Sequence, residues 1–138
     1  MEMRLAQSAD LDAVIAIDPI AERESSRRSF LESSIRRGEC WLAVSSGTAV
    51  GFVILQYTFY GNGFVPLLVV QASARRRGVG RRLLEHAALI CTTPKLFTST
   101  NESNTAMRSL LQRVGFEPSG VIHNLDPGDA ELVYVRKA

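Results

Sequence analysis

A nearly uninterrupted apolar run, Phe64 to Val70, leads into the turn Arg75-Arg76-Arg77-Gly78-Val79-Gly80, from which Val79, Leu83, Ala87 and Ile90 recur at helical spacing to about Cys91 or Thr92. An apolar run without polar alternation is what a strand buried on both faces looks like. Pro94 stops the helix, and Lys95 to Thr100 supplies the next strand. Strand, turn, helix and strand in this order form a crossover, so the chain is directed towards an α/β sheet containing a parallel pair with a helix packed across it.

The flanking sequence fills in the rest of that sheet. Met3 to Gln7 predicts a short first strand, and Ser8 is placed to cap a helix carrying Leu11, Val14, Ile15 and Ile17, which Asp18-Pro19 ends. A second helix is expected from about Glu22 to Arg37, with Phe30, Leu31 and Ile35 on its apolar side and Gly38 as a left-handed stop. Cys40 to Val44 and Ala49 to Thr58 are β-rich runs about the hairpin signal Ser45-Ser46-Gly47-Thr48, and Gly61-Asn62-Gly63 turns the chain into the Phe64 run, giving an antiparallel meander. Ser103 to Val114 predicts a helix with Met107, Leu110, Leu111 and Val114 at i, i+3, i+4 and i+7, and Gly115 followed by Phe116 suits a Schellman stop. Two apolar segments, about Glu117 to Ile122 and Glu131 to Val135, flank the polar loop of Asn124, Asp126, Pro127, Gly128 and Asp129 as a terminal hairpin. The expected order is strand, two helices, three strands, helix, strand, helix, two strands: one α/β domain over residues 1–138, a mixed sheet covered by helices on both faces.

Composition narrows the class of function. Hydrophobic residues at 46% and charged residues at 22% are a globular balance, and a formal net charge of +2 is not that of a polycation seeking nucleic acid. Cys40 and Cys91 show neither C-x-x-C spacing nor a nearby histidine cluster, so no metal site is expected and two buried thiols are. No apolar segment follows Met-Glu-Met-Arg, and no run reaches the length of a membrane span, so the expectation is a cytoplasmic protein without a membrane partner.

The turn at residues 75–80 carries the chemistry. The first N–H groups of a helix have no intrahelical partners and sit at the positive end of its dipole, so a glycine-containing turn that opens a helix binds anions, phosphate above all. Gly78 and Gly80 permit close backbone approach, and Arg75, Arg76, Arg77, Arg81 and Arg82 add charge. The spacing is neither G-x-G-x-x-G nor G-x-x-x-x-G-K-[ST], which sets dinucleotide and P-loop folds aside. Nucleic-acid binding by the arginine cluster is an alternative, but it lacks interleaved aromatics and leaves the glycines unexplained.

Arg75, Gly78 and Gly80 match [QR]-x-x-G-x-[GA], and Asn104 followed by Gly115-Phe116 is similar to N-x-x-A-x-x-[LY]-Y-x-x-x-G-F; by these two segments and the order of elements the chain resembles the GNAT superfamily of N-acetyltransferases along essentially its whole length. The resemblance implies acetyl-CoA as cofactor and an amine of a small molecule or peptide as acceptor, with direct attack on the thioester in a ternary complex and no nucleic acid as partner. It implies a fourth and fifth strand, here Phe64 to Val70 and Lys95 to Thr100, that splay apart to admit the pantetheine arm, with main-chain contacts from Leu68, Val69 and Val70. The amides of residues 76 to 81, those of Arg76, Arg77, Gly78, Val79, Gly80 and Arg81, are then expected to bind the pyrophosphate, and the Asn104 side chain to touch pantetheine or a water. A strand amide of Val69 or Val70 would face the developing oxyanion. Monomer and homodimer are both compatible with such a fold.

Two positions depart from the family pattern. Leu111 stands where many members place a tyrosine as general acid, and Ser99 where the alanine acetyltransferases of ribosomal proteins place a glutamate base. These departures keep open a second function, a non-catalytic acyl-CoA sensor. Candidate replacements for the acid are Tyr134 and a water held by Ser99 or Asn104. Candidate bases are Glu22, with Glu24 beside it, His123 and Asp126, each of which also has a plain structural reading as surface charge or a strand-end histidine. Tyr57, Phe59, Tyr60 and Phe64 either line a substrate mouth or pack across a hairpin. Trp41 reads as core, and Glu131 as a sheet-end carboxylate paired to an arginine.

Overall fold

The computed structural model describes residues 1–138. In chain order the elements are β1 (Glu2–Leu5), α1 (Leu11–Ile17), α2 (Ser25–Arg36), β2 (Cys40–Ser45), β3 (Thr48–Phe59), β4 (Asn62–Val70), α3 (Val79–Ile90), β5 (Lys95–Asn101), α4 (Thr105–Arg113), β6 (Glu117–Asp126) and β7 (Asp129–Lys137). The strands form one sheet of order β1-β2-β3-β4-β5-β7-β6, antiparallel throughout except for the parallel pair β4 and β5 that the α3 crossover joins. This is the mixed α/β architecture that the element order leads one to expect.

Local chemistry sets several boundaries. At the end of α2, Gly38 takes φ 72°, its N–H donates to Ile35 O at 3.1 Å and Glu39 N donates to Ser34 O at 2.9 Å. At the end of α4, Gly115 takes φ 92°, donating to Gln112 O at 3.1 Å, while Phe116 N donates to Leu111 O at 2.9 Å. Both are Schellman stops, and Phe116 folds back into the core beside Leu111.

Three expectations are corrected. Ser8 does not cap α1: a short 3-10 turn, Ser8–Asp10, precedes it, and the Asp10 carboxylate accepts from Gln7 N at 2.7 Å while Arg4 grips it with two hydrogen bonds of 2.9 Å. The second helix starts at Ser25, so Glu22 lies in the preceding turn; that turn is pinned by buried Asp18, which accepts from Ile20 N at 3.0 Å and Arg27 at 2.7 Å. The segment Glu117 to Ile122, read as apolar, is exposed because it belongs to the edge strand of the sheet, and that strand runs on through Asn124 and Leu125 to Asp126, leaving only Pro127 and Gly128 of the expected loop between β6 and β7.

Strand alternation divides the core into two layers. Val53 and Leu55 face Leu83, Leu84 and Ala87 of α3 and Leu111 of α4, while Phe52 and Ile54 face Val14 of α1 and Leu31 of α2. The α1/α2 layer reaches across the sheet as far as Leu67 and Val69 of β4 and includes no residue of β5, β6 or β7. Of the two cysteines, Cys40 is buried and Cys91 half-buried; burial pushes the Cys40 thiol up to about 12. No helix is long and apolar enough to cross a membrane.

Candidate active site

The parallel pair is short. Only Gly63, Phe64 and Val65 of β4 pair with Leu96, Phe97 and Thr98 of β5, and the pairing stops at Pro66, which has no N–H to give. Opposite this point the β3–β4 register shifts between Ile54 and Gln56, and Thr98 Oγ1 donates to Val65 O at 2.8 Å at the vertex. From there β4 follows β3 to Val70 while β5 follows β7 to Asn101, so the two strands part. The segment Phe64 to Val70 is accordingly half-buried, except for buried Val65, rather than buried on both faces.

Which main-chain groups face the gap follows from the ladder. Gln71 N donates to Val50 O at 2.8 Å, so this pair is of the hydrogen-bonded kind, and the antiparallel alternation makes Val69 with Phe52 and Leu67 with Ile54 the next two such pairs. Leu68 and Val70 then turn their N–H and C=O groups away from β3, into the gap. Arg75 Nε, which donates to Val70 O at 3.4 Å, reaches it from that side. Of the three strand residues expected to offer main-chain contacts, Leu68 and Val70 turn those groups into the gap, whereas Val69 borders the cleft with its amide directed to β3.

Beyond Val70 the chain makes a 3-10 turn, Ala72–Ala74, and enters α3 through two left-handed residues, Arg76 at φ 66° and Gly78 at φ 78°. A non-glycine residue in this region is uncommon and strained, and the conformation turns successive N–H groups towards one concavity. A cleft of about 930 Å³ opens there, bounded by Leu68, Val69, Val70, Arg75, Arg76, Gly78, Val79, Gly80, Arg81 and Asn104. Arg77 stays outside it. Arg81 approaches Glu85 at 3.5 Å and Arg82 donates to Met1 O at 3.2 Å, whereas Arg76 and Arg77 make no hydrogen bond or ion pair and remain available.

The fourth wall comes from α4: Ala106, Met107, Leu110 and Arg113 line the cleft as well, and the sequence did not single them out for it. Met107 and Leu110 belong to the same apolar stripe as Leu111 and Val114, but only the latter two are buried; the former turn towards the cleft. The lining contains four arginines, Arg75, Arg76, Arg81 and Arg113, and no carboxylate, an arrangement built for an anion. Asn104 serves as the cap of α4, its Oδ1 accepting from Met107 N at 3.1 Å, while its Nδ2 makes no hydrogen bond.

The proposed acid and bases are not brought together. Tyr134 is 6% exposed on the α3/α4 side, its hydroxyl 3.4 Å from Arg108 Nε, outside the cleft lining. Leu111 is fully buried. Glu22, His123 and Asp126 are exposed and line no part of the cleft; Asp126 accepts from Asn101 Nδ2 at 2.9 Å, which ties the β6–β7 hairpin to β5. Phe59 stacks on Phe64 at 5.2 Å and meets Phe97 at 4.9 Å, while Tyr57 leaves the cluster and accepts from Thr92 N at 3.1 Å. Trp41 is half-buried and packs on His86, at 4.6 Å between ring centres.

The family model described as an acetyltransferase (GNAT) domain matches residues 36–118. A crystal structure of a GNAT-family acetyltransferase from Bacillus cereus ATCC 10987 is 34% identical and superposes with a TM-score of 0.93 over 99% of this chain and 96% of that one. The ribosomal-protein-alanine N-acetyltransferase of Brucella melitensis, 24% identical, gives 0.78 over 100% of both chains. The PaiA N-acetyltransferase of Thermoplasma acidophilum in complex with coenzyme A, 18% identical, gives 0.79 over 99% of this chain and 98% of that one. The last two likenesses concern the fold alone. None of the curated proteins matches the chain.

Proposed function

The chain belongs to the GNAT acetyltransferase family, and from that premise we propose that residues 1–138 act as one acetyl-CoA-dependent N-acetyltransferase domain whose acceptor is a primary amine of a small molecule or peptide. Acetyl-CoA is the acyl donor of this family. The observation that carries the reading is the gap between β4 and β5, edged by the main-chain groups of Leu68 and Val70 and opening onto a turn with arginines and no carboxylate.

The residues fit such a ligand. The amides of residues 76 to 81, at the start of α3, take the pyrophosphate, with Arg76 and Arg77 free to pair with its oxygens. Leu68 and Val70 complete with the pantetheine amides the ladder that β5 leaves open, and Asn104 Nδ2 adds a donor on the α4 side. Met107 and Leu110 supply apolar contact. The cofactor supplies an acetyl group on a thioester; transfer forms an N–C bond, breaks the C–S bond and moves one proton off the amine. The main-chain N–H of Val70 or Leu68, fixed before the reaction, stabilises negative charge on the carbonyl oxygen. The free thiol's ordinary pKa is about 8.5, so solvent can protonate the departing sulfur without a tyrosine at position 111.

A second reading, an acyl-CoA sensor without turnover, is favoured by one observation: no tyrosine, histidine or carboxylate lines the cleft. Incubation with acetyl-CoA and a panel of amines, amino acids and peptides separates the two. Acetylated product in step with free CoA supports the enzyme; tight acetyl-CoA binding with no product across the panel supports the sensor.

A further inference from the structure

Charged side chains that are neither fully exposed nor paired are costly, because they lose water without gaining a partner. Here the half-buried ones are satisfied: Arg4 and Arg27 by Asp10 and Asp18, Glu39 by Gln56, Asp129 by Ser103, Arg136 by the Val114 carbonyl. Glu131 is the exception. It is half-buried on β7 and makes no hydrogen bond or ion pair, so the arginine partner expected from the sequence is not there.

Its place in the sheet gives the carboxylate a use. Glu131 pairs with Asn101 and Val133 with Ser99, so strand alternation sets Glu131, Val133 and Val135 on one face together with Asn101, Ser99 and Phe97. This face lies opposite the one that carries Leu96 and Tyr134 against α3 and α4. Beyond β4 this face takes no part in the α1/α2 core, although Val133 and Val135 on it are themselves buried, while Glu131, Ser99 and Phe97 are half-buried. Ser99 is the first residue of β5 past the point where β4 departs. The cofactor cleft occupies the α3/α4 side of the gap, so a second substrate has the opposite side as its approach. Along that approach Glu131 stands about 7 Å, two strand residues, to one side of the Ser99 level. On the other side Phe97 begins the half-buried stack with Phe59 and Phe64.

We propose that Glu131 is the cation-binding residue of the acceptor site, and that the acceptor is an alkylammonium compound whose apolar or aromatic part rests on Phe97, Phe59 and Phe64. The inference rests on the acetyltransferase reading and narrows it: an unpaired carboxylate in a partly desolvated position draws cations and disfavours neutral and anionic acceptors. Glu131 binds and orients; no proton transfer is assigned to it.

The test is calorimetric titration of the CoA-loaded protein with phenylbutylamine, its uncharged analogue phenylbutanol, and butylamine. Phenylbutylamine is expected to bind about tenfold to a hundredfold more tightly than phenylbutanol, the range of a charge-assisted hydrogen bond. Glu131→Gln should erase that preference while leaving CoA affinity as it was. Phe97→Ala should weaken both phenyl compounds alike and bring phenylbutylamine down towards butylamine. A preference for the cation that survives Glu131→Gln overturns the proposal, as does failure of either amine to bind while CoA still does. Failure of CoA itself to bind would instead strike the acetyltransferase reading, and this inference with it.

Discussion

Gly78 and Gly80 lie in the same turn and are glycine for different reasons. Gly78 has open space where a Cβ would stand but holds φ 78°, so Gly78→Ala introduces backbone strain and no clash. Gly80 has an ordinary helical position, but a Cβ there would lie 3.0 Å from Leu110 Cδ2 and 3.6 Å from Val70 Cγ2. Gly78→Ala should therefore cost about 1 kcal/mol of stability. Gly80→Ala should push Leu110 and Val70 apart at the cleft and lower acetyl-CoA affinity by more than it lowers stability. Urea unfolding and calorimetric titration of the two variants check the contrast. Both glycines were visible in the sequence as parts of one motif; their separate reasons were not, because one depends on φ and the other on a helix thirty residues away.

At the scale of the element, α4 shows what a periodic pattern conveys and what it does not. Met107, Leu110, Leu111 and Val114 predict a helix and its apolar side, and the Gly115-Phe116 stop predicts its end; both are local chemistry. The pattern does not say that half of the stripe is buried in the core while the other half packs on it and also lines a cleft, since both need apolar side chains at the same spacing. Leu111, at the position where relatives carry a tyrosine, falls on the core half and is 0% exposed. Leu111→Tyr should therefore overpack the core at a cost of about 1–3 kcal/mol and give no gain in kcat. Denaturant unfolding with steady-state rates on the same variant tests both halves. Strand β6 carries the complementary lesson: Val121 and Ile122 look like core, and their exposure comes from an edge position that only the strand order reveals. Likewise Pro66 was in plain view, but its meaning, the point where β4 and β5 stop pairing, needed the register of both neighbours.

The whole molecule registers these local features in its response to pH. Burial holds the His86 imidazole, whose Nε2 has no partner beside Trp41, below its ordinary value. The unfolded chain then takes up this proton more readily than the folded one, so stability is full above about pH 6.5 and is lost as pH falls from there towards the lower folded value. The hydrogen bond from Arg4 lowers Asp10, whose contribution is present above the ordinary aspartate value near 3.9 and is lost as pH falls through its lower folded value. Unfolding midpoints measured from pH 7.5 to 3 should fall in two stages, and His86→Leu should flatten the upper stage alone. The order of elements, the parallel crossover and the phosphate-binding turn were legible in the chain because each is written in consecutive residues. The unpaired carboxylate at Glu131 was not, since its missing partner is a fact about the assembled sheet.

On the proposed function, the main-chain N–H groups of Leu68, Val70 and residues 76 to 81 are held open for a ligand carrying a diphosphate and an amide-bearing arm. Residue-resolved amide hydrogen exchange, with and without saturating acetyl-CoA, addresses those groups directly. Slowed exchange at Leu68, Val70 and the turn, with Val69 already protected by β3 in the free protein, is the predicted result. Unchanged exchange at all of these amides in the presence of millimolar acetyl-CoA would contradict it.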